Sequence, residues 1–161
     1  MTQHKQNNRL NPIPYFIVCL TVMIAFNMYF TNSILHNIFV GSENFNFIDI
    51  VYVQNTGAAF SSFQHSTALL VFISILAILM ILIELFRDIN KYSIPTFFAS
   101  AMLVSGIVCN TYERITLGYV RDYISLKFVE FPVFNISDIL INLGVLAIVV
   151  LILTKKYKRN D

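Results

Sequence analysis

Two aspartates in the carboxyl-terminal half of the chain are the residues whose surroundings most strongly suggest chemistry. Asp122 lies in the polar segment GYVRDYI, and Asp138 ends the segment FPVFNISD, directly before the apolar run ILINLGVLAIVVLILT. An ionisable side chain at the edge of a hydrocarbon layer is costly to keep, so it is by default a candidate for function. When two carboxylates lie about 3 Å apart, one retains a proton, which leaves one general base and one general acid. The pair therefore predicts acid/base chemistry near a membrane.

Each aspartate also has a plainer explanation. Asp138 falls where a helix begins, and an acid in a first turn is stabilised by the helix dipole. Asp122 is equally compatible with a solvated loop. In the segment between them Pro132 breaks any helix, and Asn135 or Ser137 can cap the helix that follows.

Polar residues near the two acids favour a functional site. The segment GIVCNTYERI places Asn110 and Arg114 four residues apart, which is one face of a helix. A guanidinium stays charged and offers forked donors, so it pairs with an acid or holds a carbonyl or phosphate group. The plainer alternative is an arginine that reaches the membrane interface beside a helix-end asparagine.

Composition places the chain among membrane proteins. Apolar residues make up 57% and charged residues 12%, and the mean hydropathy is +0.68, which is too apolar for an ordinary soluble domain. The net charge of +2 is too small for a nucleic-acid-binding surface. We therefore expect membrane lipids as partners and no nucleic acid.

Four apolar runs approach the length of about 20 residues that a helix needs to cross the hydrocarbon layer. They lack the alternation of barrel strands, so helices are predicted. The predicted fold is a single all-α membrane domain over residues 1–161. Its predicted spans cover about residues 14–30, 67–86, 94–111 and 138–154, with outward segments of about 32–66 and 112–137.

The distribution of Lys and Arg predicts the orientation. Eight of these residues lie in the two terminal segments and the central turn, and three lie in the outward segments. The eight are Lys5, Arg9, Arg87, Lys91, Lys155, Lys156, Lys158 and Arg159, and the three are Arg114, Arg121 and Lys127. Both termini are therefore expected in the cytoplasm, with both aspartates at the outer face.

The first outward segment combines a strand-like stretch with a small-residue turn. The alternating stretch NFNFIDIVYV predicts one or two strands. It continues into QNTGAAFS, where small residues let another chain approach and Asn55 offers an amide. A polar turn before the second span explains the same residues without function.

Four motifs together resemble the signature segments of the lipoprotein signal peptidase family, also called signal peptidase II. They are QNTGAAFS, GIVCN followed by ER, GYVRDYI and FPVFNISD, and they occur in the family's order from the first span to the fourth. The resemblance implies a bacterial inner-membrane aspartic endopeptidase that removes the signal peptide from diacylglyceryl-modified prolipoproteins, cutting before the lipidated Cys. It implies no metal or organic cofactor, and a small extracytoplasmic β-cradle with a periplasmic helix that covers the site as a lid. Because one chain supplies the whole site, a monomer is expected.

The resemblance also assigns residues. Asp122 and Asp138 match the catalytic pair, whereas Gly57 and Gly106 match glycines of close packing. The polar residues that match those around the pair, where they orient substrate or the aspartates, are Asn55, Asn110, Arg114 and Asn135.

Some positions depart from the family pattern. The first span usually ends in an Asp-Gln pair followed by Thr or Ser and Lys, whereas this chain has Asn27, Met28 and Thr31, so two charges are missing. After Asn110 it has Glu113 instead of Asp, a longer acid that can still serve a structural contact. Two alternatives therefore stay open: a catalytically silent homologue that binds lipoprotein precursors, and a small membrane protein that handles protons or cations.

Overall fold

Four helices and two short strands make up the part of the chain that the structure describes. The structure is a computed structural model and describes residues 11–40, 46–57 and 66–159. In chain order the elements are α1 (Pro12–Val40), β1 (Ile48–Asn55), α2 (Thr67–Arg87), α3 (Ile94–Leu117), β2 (Val120–Leu126) and α4 (Ile136–Leu153).

All four helices are long and apolar enough to cross a membrane, which confirms the four predicted spans and a multi-pass membrane protein. Several helix ends differ from the predicted bounds, most of all in the first and third helices. The first helix continues to Val40 and the third to Leu117, because helix formation does not stop where the apolar run stops. The fourth begins at Ile136 instead of Asp138.

Helix α3 is the centre of the bundle and packs against the other three helices. Small side chains permit the close approach of α4, as is common where helices meet in a membrane. A methyl group added at Gly106 would lie 2.4 Å from the backbone oxygen of Ser137, and one added at Gly144 would lie 2.7 Å from the backbone nitrogen of Leu103. Gly106 is thus a close-packing glycine, as the family resemblance implied.

The two strands form an antiparallel sheet at the end of the bundle where α4 begins. Val53 pairs with Asp122, and Asn55 pairs with Val120. The predicted strand in NFNFIDIVYV is confirmed from Ile48 onward. Its partner comes from the second outward segment, which was not predicted as a strand. The lid helix implied by the resemblance lies outside the described residues.

The opposite end of the bundle carries the carboxyl-terminal tail. Phe16, Leu85 and Phe97 form a buried apolar cluster there. The backbone nitrogen of Ser93 donates to the backbone oxygen of Tyr157 at 2.9 Å, which fixes the tail against the turn between α2 and α3. The sheet and the tail thus lie at opposite ends of the helices.

Candidate active site

Asp122 lies on β2 and is almost fully buried, with 2% of its surface exposed. Its two carboxylate oxygens accept hydrogen bonds from different elements. The Nδ2 of Asn55, the last residue of β1, donates to Oδ2 at 2.9 Å. The Nδ2 of Asn135, directly before α4, donates to Oδ1 at 2.7 Å. Asp122 is therefore not a solvated loop residue.

Asp138 lies in the first turn of α4. Its Oδ2 accepts from the backbone nitrogen of Asn135 at 3.2 Å, and its own backbone nitrogen donates to the Oδ1 of Asn135 at 3.0 Å, so the two residues form a capping box. In addition, the Nδ2 of Asn110 on α3 donates to Asp138 Oδ1 at 2.8 Å. Asp138 thus caps its helix, and the contact with Asn110 goes beyond that role.

Two asparagines link the carboxylates into one network. The Nδ2 of Asn135 donates to the Oδ1 of Asn110 at 3.3 Å and also to the carboxylate of Asp122. A continuous series of side-chain hydrogen bonds therefore runs from Asp122 through Asn135 and Asn110 to Asp138. Because amides are neutral donors, they orient the two carboxylates without cancelling their charge.

The surroundings of Asp122 favour its protonated form. The pKa of Asp122 is raised from 3.8 to about 6, chiefly by burial and also by the nearby Asp138 carboxylate, although the hydrogen bonds from Asn55 and Asn135 act in the opposite direction. A carboxyl group with a pKa near 6 can exchange a proton at neutral pH, which is what general acid/base catalysis requires.

Arg114 holds the turn that follows β1. Its Nη2 donates to the backbone oxygen of Gly57 at 2.9 Å, and the backbone nitrogen of Gly57 donates to the Oδ1 of Asn55 at 3.0 Å. Arg114 therefore binds a backbone carbonyl, one of the roles expected of it, and supports the asparagine that contacts Asp122. Its buried Nε has no hydrogen-bond partner among the described residues.

A cavity of about 800 Å³ opens beside the two aspartates. Asp122 and Asp138 both line it. Its other walls are largely apolar and include Phe131, Phe134 and Leu143. A mostly apolar cavity with a few convergent polar groups is the usual form of a ligand-binding site.

Glu113 anchors the strand that carries Asp122. Its carboxylate accepts from the backbone nitrogen of Arg121 at 2.8 Å, and from the Nε and Nη2 of the same residue at 2.9 and 2.7 Å. The longer acid thus serves a structural contact, as the sequence allowed.

The structure brings together every predicted site residue: Asn55, Gly57, Asn110, Arg114, Asp122, Asn135 and Asp138. Sequence reasoning overlooked Tyr123, a fully buried residue beside Asp122. The segment VRDYISL lacks the alternation of apolar and polar residues that predicts a half-buried strand, so no local pattern marked Tyr123 as buried on the face opposite Asp122. Among the described residues, no cluster of three or more His, Cys, Asp or Glu side chains is placed to hold a metal ion.

Comparison with known proteins identifies the family. The family described as "Signal peptidase (SPase) II" matches this chain over residues 13–154. A lipoprotein signal peptidase of Lactobacillus johnsonii is 35% identical over 138 residues, which is 83% of this chain and 88% of the relative. One from Bartonella henselae is 31% identical over 156 residues, or 92% and 94% of the two chains. A solved bacterial membrane enzyme shares the fold, with a TM-score of 0.77 at 22% identity over 92% of this chain and 95% of that one.

Four membrane-spanning helices, a small sheet at one end and these relatives define a multi-pass membrane protease. Within that class, the chain belongs to the signal peptidase II family.

Proposed function

We propose that this protein removes the signal peptide from diacylglyceryl-modified prolipoproteins and cuts directly before the lipidated Cys. It acts as an aspartic endopeptidase in which Asp122 and Asp138 are the catalytic residues. The observation that carries the proposal is the pair of carboxylates that line one cavity and are linked by the amides of Asn110 and Asn135. Family membership and the relatives named lipoprotein signal peptidase support the substrate class.

The proposed reaction uses a water molecule held between the carboxylates. The ionised aspartate takes a proton from the water, whose oxygen attacks the scissile carbonyl carbon. The protonated aspartate donates its proton to the carbonyl oxygen, which gives a neutral tetrahedral intermediate. Collapse of the intermediate breaks the C–N bond while a carboxyl group protonates the leaving nitrogen. The products are a carboxylic acid on the signal peptide and a free amine on the lipidated Cys, and no acyl-enzyme forms.

The surrounding side chains position the reacting groups. Asn55, Asn110 and Asn135 each donate to a catalytic carboxylate, which fixes the orientation of its oxygens. Arg114 secures Asn55 indirectly through the turn at Gly57. The acyl chains of the substrate pack against the apolar part of the cavity wall, including Ile139 and Leu143 on α4.

The proposed location is the bacterial inner membrane, with both termini in the cytoplasm and the site at the periplasmic face. The positive-inside rule supports this orientation. The basic residues of the tail, Lys155, Lys156 and Lys158, follow the end of α4 that lies away from the aspartates. A lipid-modified precursor anchored in the outer leaflet reaches a site at that depth without entering the cytoplasm. The proposed enzyme works as a monomer and without a cofactor.

A cleavage assay tests this proposal. Purified protein in detergent micelles is mixed with a prolipoprotein carrying the diacylglyceryl group or with the same precursor lacking it, and mass spectrometry locates the cut. Cleavage of the lipidated precursor alone, directly before its Cys, is the expected result. Binding of the precursor without cleavage establishes the catalytically silent alternative. Equal cleavage of both precursors contradicts the proposed substrate class.

A further inference from the structure

Two polar residues on α1 are buried although most of that helix is exposed to its surroundings. Asn27 has 3% of its surface exposed and Thr31 has 4%, and they lie four residues apart on one face. Buried polar groups are costly in a membrane unless they are hydrogen-bonded. Their bonding partners therefore show what these residues do.

The partners lie on the two elements that carry the aspartates. The Oγ1 of Thr31 lies 2.9 Å from the hydroxyl oxygen of Tyr123 on β2. The Nδ2 of Asn27 donates to the Oγ of Ser137 on α4 at 2.9 Å. Thr31 Oγ1 also donates to Asn27 Oδ1 at 3.3 Å, which joins the two contacts. The four residues Asn27, Thr31, Tyr123 and Ser137 are called the α1 brace below.

The hydrogen bonds of the α1 brace have a consistent direction. The backbone nitrogen of Ile136 donates to the Tyr123 hydroxyl at 3.3 Å. Because Thr31 has one hydroxyl proton and gives it to Asn27, the Tyr123 proton points to Thr31. The backbone N–H of Ile136, which has no partner within its own helix, is satisfied in this way. The brace consists of neutral groups throughout.

Sequence position ties the brace to the reacting groups. Tyr123 follows Asp122 directly, and Ser137 directly precedes Asp138. Successive side chains on a strand point to opposite faces, so Tyr123 turns away from the cavity into which Asp122 points. None of the four brace residues is among the residues that line the cavity. The brace therefore supports both aspartates on the side that faces away from the cavity, where it does not contact substrate.

We propose that Asn27 and Thr31 are positioning residues that fix the separation of the Asp122 and Asp138 carboxylates through Tyr123 and Ser137. The inference rests on the proposed function, because it requires that the two aspartates react. A displacement of about 1 Å in a catalytic group costs on the order of 100-fold in rate. Substrate affinity does not depend on the brace, because its members lie outside the cavity.

Three variants of α1 test the proposal by kinetics. Thr31→Val removes the hydroxyl at nearly constant volume, and Thr31→Ser retains it. Thr21→Val is the matched control, since the hydroxyl of Thr21 donates to the backbone oxygen of Ile17 in its own helix at 2.8 Å. We expect Thr31→Val to lower kcat roughly 10- to 100-fold with KM changed less than about threefold. Thr31→Ser and Thr21→Val are expected to retain the native kcat within about threefold.

A double variant tests whether Thr31 and Tyr123 act through the same hydrogen-bond network. Tyr123→Phe removes the same hydroxyl contact from the other side while keeping the ring in place. If both residues act through one network, Thr31→Val combined with Tyr123→Phe lowers kcat no further than the more damaging single variant. All rates are normalised to folded protein, measured by gel filtration in detergent. The Tyr123→Phe measurement also decides the matter where Thr31→Val fails to fold.

The outcomes distinguish this inference from the proposed function. Asp122→Asn is assayed beside the brace variants. An inactive Asp122→Asn together with native kcat in Thr31→Val and Tyr123→Phe overturns the brace alone. Additive losses in the double variant, or a rise in KM without a fall in kcat, also overturn it. Native activity in Asp122→Asn overturns the proposed function itself.

Discussion

The side-chain amide of Asn135 donates to the Asp122 carboxylate at 2.7 Å. The side-chain oxygen of the same residue caps α4, whose first turn contains Asp138. One residue thereby sets the position of both aspartates. Its two roles use different atoms: Oδ1 accepts from the backbone of α4, and Nδ2 donates to the Asp122 carboxylate. Substitutions that keep one atom and lose the other therefore test the helix cap and the contact with Asp122 separately.

Asn135→Asp is expected to keep the helix cap and lose the donor. Aspartate caps helices as well as asparagine does, so the cap is retained, but a third buried carboxylate beside Asp122 and Asp138 is costly and lowers the thermal midpoint at neutral pH. The amide that contacts Asp122 is replaced by a carboxylate, and a hydrogen bond to a charged group is worth about 1.5–3 kcal/mol, so kcat falls roughly 10- to 100-fold. Asn135→Ala is the comparison, because it also loses about 1 kcal/mol of helix stability. Near-native kcat in Asn135→Asp contradicts the assignment of Nδ2 to catalysis.

The raised pKa of Asp122 predicts an alkaline loss of activity. In the proposed mechanism the two aspartates share one proton, and the pKa of Asp122 is raised to about 6, chiefly by burial. We therefore expect kcat/KM to fall as the pH rises, with the loss of one proton and a midpoint near pH 6. Asn55→Ala removes a donor that stabilises the ionised carboxylate, so the limb moves to higher pH. A kcat/KM that rises steadily from pH 6 to pH 8 contradicts this prediction.

The same pKa fixes the sign of the effect on stability. Folding raises the pKa of Asp122 from 3.8 to about 6, so the folded protein binds this proton more tightly than the unfolded chain does. The contribution of Asp122 to the free energy of unfolding therefore decreases as the pH rises from 3.8 to about 6, and stays constant above that range.

Glu113→Gln tests the anchor of β2. The variant loses the charge that accepts three hydrogen bonds from Arg121. Because 12% of the Glu113 side chain and 24% of the Arg121 side chain are exposed, the loss is expected to cost about 1–3 kcal/mol and to lower the thermal midpoint. Asp49→Asn is the matched control on β1, where Asp49 is 48% exposed in its pair with Lys127, so the cost stays below about 1 kcal/mol. Equal midpoints for the two variants contradict the anchoring role.

Gly106→Ala tests the contact between α3 and α4 at the site. The added methyl group would lie 2.4 Å from the backbone oxygen of Ser137, so the start of α4 must move. We expect a fall in both the thermal midpoint and kcat, because Asp138 moves with Ser137. Gly144→Ala introduces a similar clash near Leu103, further along α4 from Asp138, and is expected to lower the midpoint with less effect on kcat. The opposite order of kcat values contradicts the proposed link between this contact and catalysis.

Sequence reasoning predicted the helices well because each depends on a local apolar run. The residues around the aspartates were also predicted, since Asn110 and Arg114 follow helical spacing and the motifs carry the family resemblance. Helix ends were less accurate: α4 was predicted from Asp138 but begins at Ile136, because Asn135 is the cap and not the alternative candidate Ser137.

Contacts between distant segments were not predicted. The pairing of β1 with β2 joins the two outward segments, and only the fold brings Val53 opposite Asp122. The sequence marked Asn27 and Thr31 as positions where expected charges are missing. It did not show that both are buried and bonded to neighbours of the aspartates, because those neighbours lie about 90 or more residues away along the chain.

Single-turnover cleavage of a diacylglyceryl-modified prolipoprotein tests the role of the two aspartates most directly. Asp122→Asn and Asp138→Asn are each expected to lower the cleavage rate roughly 10²- to 10⁴-fold, and the double variant to be no slower than the slower single variant. Asp49→Asn, an exposed acid on the same sheet, serves as the control and is expected to cleave at the native rate. Near-native cleavage by either Asp122→Asn or Asp138→Asn would contradict catalysis by this pair.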